Sequence, residues 1–493
     1  MKTPAAFLRL VSAAAFAALL VAATLPAAAQ VDLSRMAWVG DSEGAGFSAG
    51  CLTKRVQVDS PGAIIARTVG NVDFQQPIVN DPGLGGCRVL LTLVPTFGTQ
   101  PSTGTPANLA LPRPYNNLSV PGCNIHDMLF ATTGAEASAG ACRSFIDLVL
   151  RNSALHLGSM VDQAVALSPT FVILENVAND YLGAVFYGVV DGVTVTPVAS
   201  FTADVNATLA KLKAKQPNGI VTSVSDVTGF PWTTTLPPYV TSGGKLVLDP
   251  TGKPIPLLGP KGCPTGVPAC PIPANTIVTL PAGDYEKLGF GIPCAVAPLP
   301  NCNKPLPAST DAAGNYIALI YAADVAFLTQ RIADYNTAIK AAAAANGYKY
   351  YDVNDLFRRM KAGYDIGGAP INTAFLTGGI FSYDGLHLNP IGYAIWADDL
   401  IQFMNANFNA GLPRVNLSTY LFNGGTNGGL SGSSATYVPL NGEDYERAIQ
   451  EIFAPEFVRQ LGSMFAFPKP VLVQGDDGLA PRLEPHRRGI EQQ

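Results

Sequence analysis

Phe171-Val172-Ile173-Leu174, preceded by Pro169-Thr170 and followed by Glu175, is a continuous apolar run with no polar alternation. A strand with one wet face alternates apolar and polar residues. A continuous run of this length fits a strand buried on both faces, the situation of a parallel sheet. Met36 to Val39 has the same character, and Gly219 to Val224 and Tyr348 to Val353 read as two further strands. Helical patterns precede three of the four. Leu155 to Leu167 comes before the Phe171 run, and Phe201 to Lys215 comes before Gly219 with Val205, Leu209 and Leu212 on one stripe. Asp324 to Ala345 comes before Tyr348, with Val325, Leu328, Ile332, Tyr335 and Ile339 at three- and four-residue spacing. Asn346-Gly347 is the stop signal for that helix. Strand–helix alternation of this kind predicts an α/β fold around a mostly parallel sheet.

Two regions break the rhythm. Residues 228–312 are rich in proline and glycine and hold four cysteines, which reads as a disulfide-stapled insertion over the core. Asn423 to Ser434 is a Gly/Ser/Asn-rich flexible linker. Beyond it Glu443 to Leu461 reads as a short helix interrupted at Pro455, within an extension, 413–493, of no assigned role. At the other end, Lys2 and Arg9 flank an apolar run from Val11 to Leu25, and Ala27-Ala28-Ala29 fits a cleavage site. Residues 1–29 therefore read as a secretory signal peptide, and the expected location is secreted or periplasmic. No later stretch is apolar for long enough to span a bilayer.

The 493-residue chain is 48% hydrophobic, enough for a large core, and only 14% charged, against a usual value of about 25%. Its net charge of −5 argues against a nucleic-acid partner. Eight cysteines in an exported chain predict disulfides. Eight cysteines allow about 105 connectivities, and a preference for short loops favours Cys51–Cys87, Cys123–Cys142, Cys263–Cys270 and Cys294–Cys302 among them. There is no C-x-x-C pair and no histidine near the later cysteines, so no metal site is expected.

The chemistry-bearing residues sit at the ends of this framework. Val39-Gly40-Asp41-Ser42 closes the first strand, and Ser382-Tyr383-Asp384-Gly385-Leu386-His387 lies far downstream. A serine hydroxyl is a weak nucleophile that needs an adjacent base. That base needs a third group to fix its tautomer and stabilise its charged form. Asp384 lies three residues before His387, so one turn of backbone can bring both side chains to one point. An acyl-transfer site also needs donors for an oxyanion. Two segments offer them: Asn117-Leu118-Ser119-Val120-Pro121-Gly122, and Glu175-Asn176-Val177-Ala178-Asn179-Asp180 at the carboxyl end of a strand, where ligands of open α/β sheets bind.

These four segments, in this order, resemble the four blocks of the SGNH (GDSL) hydrolase family. The resemblance spans about residues 36–412 and leaves out the insertion and the tail. It implies a three-layer α/β/α catalytic domain over 30–412, interrupted by the insertion. It also implies Ser42 as nucleophile, His387 as base and Asp384 as its orienter, with Ser42, Gly122 and Asn179 supplying the oxyanion hole. One departure is plain: the family's third block has glycine two residues before the asparagine, and here that position is Val177. Gly46-Phe47-Ser48-Ala49-Gly50 also matches the G-x-S-x-G elbow of another hydrolase class. That elbow must follow a strand directly, however, and the strand ends at Gly40.

The expectation is a secreted esterase or lipase acting on a small-molecule or lipid carboxylic ester, without cofactor. The alternatives are a deacetylase of acylated carbohydrates and a non-catalytic surface-binding protein. Phe230, Trp232, Tyr239, Tyr285 and Phe290, in and around the insertion, are candidates for an apolar acyl pocket or for packing within the insertion.

Overall fold

The computed structural model describes residues 31–84, 103–138, 140–215, 218–309 and 316–422, together with short strands at 88–92, 98–101, 472–473 and 482–483. The signal-peptide reading of 1–29, the linker at Asn423 to Ser434 and the helix expected over Glu443 to Leu461 lie outside the described residues.

Four strands form the central sheet: β1 (Met36–Val39), β2 (Phe171–Leu174), β3 (Gly219–Thr222) and β4 (Lys349–Tyr351). They stand in the order β1-β2-β3-β4, and every pairing is parallel. Every residue of the first three is buried, which is why their sequences carry no alternation. On the free side of β1 the chain runs alongside it. Trp38 N–H donates to Asn116 O at 2.8 Å, Leu118 N–H to Trp38 O at 2.8 Å and Val120 N–H to Gly40 O at 3.0 Å. The chain thus leaves β1 on one side and returns as β2 on the other. That reversal is a topological switch point, and the crevice at the carboxyl ends of the strands there is the standard place for a site in an open α/β sheet.

Five helices carry most of the packing: α1 (Pro61–Thr68), α2 (Met160–Ala166), α3 (Val198–Lys213), α4 (Ala322–Asn346) and α5 (Pro390–Phe408). α3 packs along α4, with Phe201 stacked on Tyr335 at 4.1 Å. α5 packs on α1 and meets the sheet through Trp38–Trp396 and Phe171–Phe408 contacts. α4 stops at Gly347, which has φ 72°, as expected from the Asn-Gly signal. The helix expected over Leu155 to Leu167 is shorter. His156 (φ 53°) and Gly158 (φ 86°) take left-handed backbone, and α2 starts afresh at Met160. Ser159 caps it in a reciprocal capping box with Asp162.

The insertion is built from two-residue hairpin strands and two short helices. A second hydrophobic cluster holds it together, including Val240, Leu257, Ile272 and Leu306 and extending to Leu319 and Tyr321. Disulfides Cys263–Cys270 and Cys294–Cys302 close two of its loops, as the short-loop pairing anticipated. Phe230, Trp232 and Leu280 belong instead to the main core. There the insertion grips the loop after β4 and its helix: Trp232 N–H donates to Gly385 O at 2.8 Å, and Leu280 N–H donates to Trp232 O at 3.0 Å. Gly385 has φ 69°, and a Cβ there would lie 2.5 Å from Leu280 Cδ1, so only glycine fits under the clamp. No helix of the described residues is long and apolar enough to cross a membrane.

Candidate active site

Ser42 follows β1 in a tight turn closed by Phe47 N–H to Ser42 O at 3.0 Å and Ala45 N–H to Asp41 O at 3.1 Å. Asp384 and His387 come from a loop closed by Ser382 N–H to His387 O at 2.8 Å, which runs straight into α5. The two segments meet. Ser42 Oγ lies 2.9 Å from His387 Nε2, and His387 Nδ1 lies 2.8 Å from Asp384 Oδ2. All three side chains are buried, and Asp384 is fully so.

A buried carboxylate must be satisfied on both oxygens. Asp384 Oδ1 accepts from Ser382 Oγ and from the N–H groups of Leu386 and His387, each at 2.9 Å. Oδ2 accepts from Gly50 N–H at 3.0 Å besides the imidazole. Burial alone would raise its pKa, but the His387 charge and these hydrogen bonds outweigh it and bring the carboxyl down to about 2. Burial alone would lower His387. The Asp384 charge and hydrogen bond, with smaller contributions from Glu43 and Asp41, move it above its ordinary value. The arrangement can take a proton from the serine hydroxyl and hold the resulting imidazolium against a fixed anion.

The oxyanion candidates lie at the neighbouring strand ends. Gly122 has φ 80°, and a Cβ there would stand 2.5 Å from Ala141 Cβ, so glycine is required on both counts. Among the described residues, neither the Ser42 N–H nor the Gly122 N–H donates to a protein acceptor. Asn179 is buried, and its Nδ2 donates to Cys123 O at 3.2 Å. An amide nitrogen carries two hydrogens, so one remains for another acceptor. Val177, which stands where the family pattern has glycine, does not have positive φ. It is buried, and its N–H donates to Asp41 Oδ2 at 3.0 Å, so a branched residue is accommodated.

Cys123 and Cys142 form the expected disulfide, which ties the Gly122 turn to the helix Gly140–Leu150. Asp127 lies close to both sulfurs. Its carboxylate serves a capping box with Asn124 and accepts from Ser138 Oγ at 2.6 Å. Cys51 is also disulfide-bonded; Cys87, its expected partner, lies outside the described residues.

Ser48 is not brought to a histidine. It lies in the two-residue strand Phe47–Ser48, and its buried Oγ has no partner. The G-x-S-x-G segment has a different place in the site. Gly50 N–H reaches Asp384, Ala49 N–H donates to Ser382 Oγ at 3.0 Å, and the Phe47 ring lies 4.8 Å from the His387 ring. His126 pairs with Asp204 at 2.9 Å, and His156 is an exposed helix C-cap. Of the aromatics considered for an acyl pocket, Trp232 packs against Phe186 and Tyr316, and Phe230 against Phe357. Tyr285 and Phe290 pack on each other in the insertion. Tyr239 is half-buried there.

Sequence reasoning passed over three groups. Gly50 and Ser382 hold Asp384, and Glu175 accepts from the nucleophile turn: Asp41 N–H at 3.0 Å and Gly44 N–H at 3.1 Å. The one available signal for Glu175 was a carboxylate ending a wholly apolar strand.

Neither a family model nor a curated protein matches the chain.

Proposed function

We propose that this protein is a secreted or periplasmic serine esterase of the SGNH type, with a three-layer α/β/α catalytic domain. The observation that carries the reading is the continuous hydrogen-bonded chain Ser42–His387–Asp384, 2.9 Å and 2.8 Å long in its two links. Three disulfides among the described residues fit an oxidising compartment and agree with the leader-like N-terminus.

In this reading His387 Nε2 takes the Ser42 proton as Oγ attacks the ester carbonyl carbon. The developing oxyanion is held by the N–H groups of Ser42 and Gly122 and by the second amide hydrogen of Asn179. His387 returns the proton to the departing alcohol, leaving an acyl group on Ser42. Water, deprotonated by His387, attacks that acyl group and releases the acid. All the groups needed come from this chain, without cofactor. The low charge content and the apolar insertion favour a lipase-like ester over an acetylated sugar.

Hydrolysis of p-nitrophenyl esters of increasing acyl length by the purified protein tests both the class and the chain-length preference. Wild type should turn over, and Ser42→Ala should lose the activity and its labelling by a fluorophosphonate while keeping its circular dichroism. Equal labelling of the Ser42→Ala protein would refute the reading.

A further inference from the structure

Glu175 ends β2, is wholly buried, and faces the nucleophile turn across the sheet. Its Oε2 collects donors from that turn: the N–H groups of Asp41 and Gly44, with the Trp38 indole Nε1 at 3.5 Å. The glycines of Gly40-Asp41-Ser42-Glu43-Gly44 make room for it. A Cβ at Gly40 would stand 2.2 Å from Oε2, and one at Gly44 would stand 2.6 Å from it. The grip is returned from the other side. Asp41 Oδ2 accepts the Val177 N–H at 3.0 Å, and Asp41 Oδ1 accepts the Glu43 N–H at 3.1 Å. The acid ending one strand therefore holds the turn that carries Ser42, and an acid within that turn holds the loop that carries Asn179.

We infer that Glu175 is a positioning residue: its carboxyl, seated against Gly40 and Gly44 and interlocked with Asp41, sets where Ser42 stands relative to His387 and Asn179. The inference deepens the ester-hydrolase reading and rests on it. Glu175 does not touch the reacting atoms; it acts through the backbone of the turn.

The chemistry of the clasp makes a sharp distinction between variants. Burial, and then the neighbouring Asp41 charge, hold Glu175 well above the usual carboxylate range. A neutral acid in that place offers one acceptor oxygen, Oε2, to the turn, while Oε1 is buried with no hydrogen-bond partner among the described residues. Glutamine offers the same acceptor and an N–H in place of the acid proton. Methionine fills a similar volume and accepts nothing.

The test is steady-state kinetics on a p-nitrophenyl ester, with melting and near-ultraviolet circular dichroism, for wild type, Glu175→Gln, Glu175→Met and Glu175→Asp. Glu175→Gln should keep kcat within about threefold of wild type. Glu175→Met should lose about 10²-fold in kcat, the scale of an ångström-sized misplacement, with KM within about threefold. If Glu175→Met does not fold, Glu175→Asp decides: its carboxyl is drawn back by one methylene, and kcat should fall about tenfold or more. A folded Met or Asp variant with wild-type kcat overturns the inference. So does a Gln variant as poor as the Met variant, which marks a need for ionised carboxylate rather than for position. Wild-type protein inert to every ester in the series refutes the functional reading and this inference with it.

Discussion

The side-chain amide of Asn179 donates to the carbonyl oxygen of Cys123 at 3.2 Å. Cys123 is the residue after Gly122 and one half of a disulfide. Two of the three proposed oxyanion donors are therefore fixed through a single cystine. The Cys123 carbonyl orients the amide, so in the proposed reaction its second hydrogen is already in place for the developing charge.

Asn179→Ala should lower kcat by about 10²–10³ while KM stays within about threefold, because the oxyanion forms only on the way to the tetrahedral intermediate. Steady-state kinetics check it. A kcat within about threefold of wild type removes Asn179 from the oxyanion hole.

Replacing Cys123 and Cys142 together by alanine should reduce both stability and turnover. The bridge joins residues 19 apart in sequence, a loop whose closure is worth about 3 kcal/mol in the chain-entropy view. The Gly122 turn and the Cys123 carbonyl also lose their anchor to the helix Gly140–Leu150. Thermal melting and kcat on the double variant measure the two effects separately. Lower stability with unchanged kcat would show that the turn is held without the bridge.

The pH profile follows from the His387–Asp384 pair. His387 must be neutral to accept the serine proton, and its pKa is raised above 6.5 by Asp384 against the opposing effect of burial. The acid limb of kcat/KM should therefore have its midpoint above pH 6.5. Asp384→Asn should move the limb to lower pH and reduce kcat on the order of 10⁴. For stability the signs differ. Asp384 titrates lower in the fold, about 2 against 3.8, so its contribution is full above pH 3.8 and is lost as pH falls towards 2. His387 titrates higher in the fold, so its contribution is full below 6.5 and is lost as pH rises through the raised value. Denaturation curves taken across pH on the wild type and Asp384→Asn separate the two. A kcat/KM midpoint at or below 6.5 in wild type would contradict the pairing.

Ser48→Ala should leave kcat within about threefold of wild type. Its buried Oγ has no partner, so losing the hydroxyl should cost no stability and can raise the melting temperature slightly. A large loss of activity would transfer the nucleophile assignment away from Ser42.

The sheet was legible because strands buried on both faces have no option but continuous apolar residues, as in Phe171 to Leu174. The break before α2 is marked in the sequence only by Gly158 and the Ser159–Asp162 capping signal, against an apolar spacing from Leu155 to Leu167 that favours one continuous helix. Within the site, Asp384 and His387 were readable together because they share a turn, three positions apart in the chain. Gly50 and Glu175 were not. Gly50 meets Asp384 across 334 residues of sequence, and Glu175 meets Asp41 across 134. Both contacts use backbone N–H groups, which leave no mark in residue type. Val177 shows the converse: a departure from a family pattern that looks disruptive in sequence is absorbed because its backbone is not left-handed.

The clamp of Trp232 and Leu280 on Gly385 bears on any attempt to trim or trade the insertion. A shortened chain lacking residues 228–312 would lose the partner of the carbonyl that lies between Asp384 and His387. A chimaera carrying a foreign segment would replace that partner with whatever the donor offers. Its changed chain-length preference would then be confounded with a changed seat for the base, and turnover on the smallest ester, too short to reach any pocket in the graft, is the control that tells the two apart.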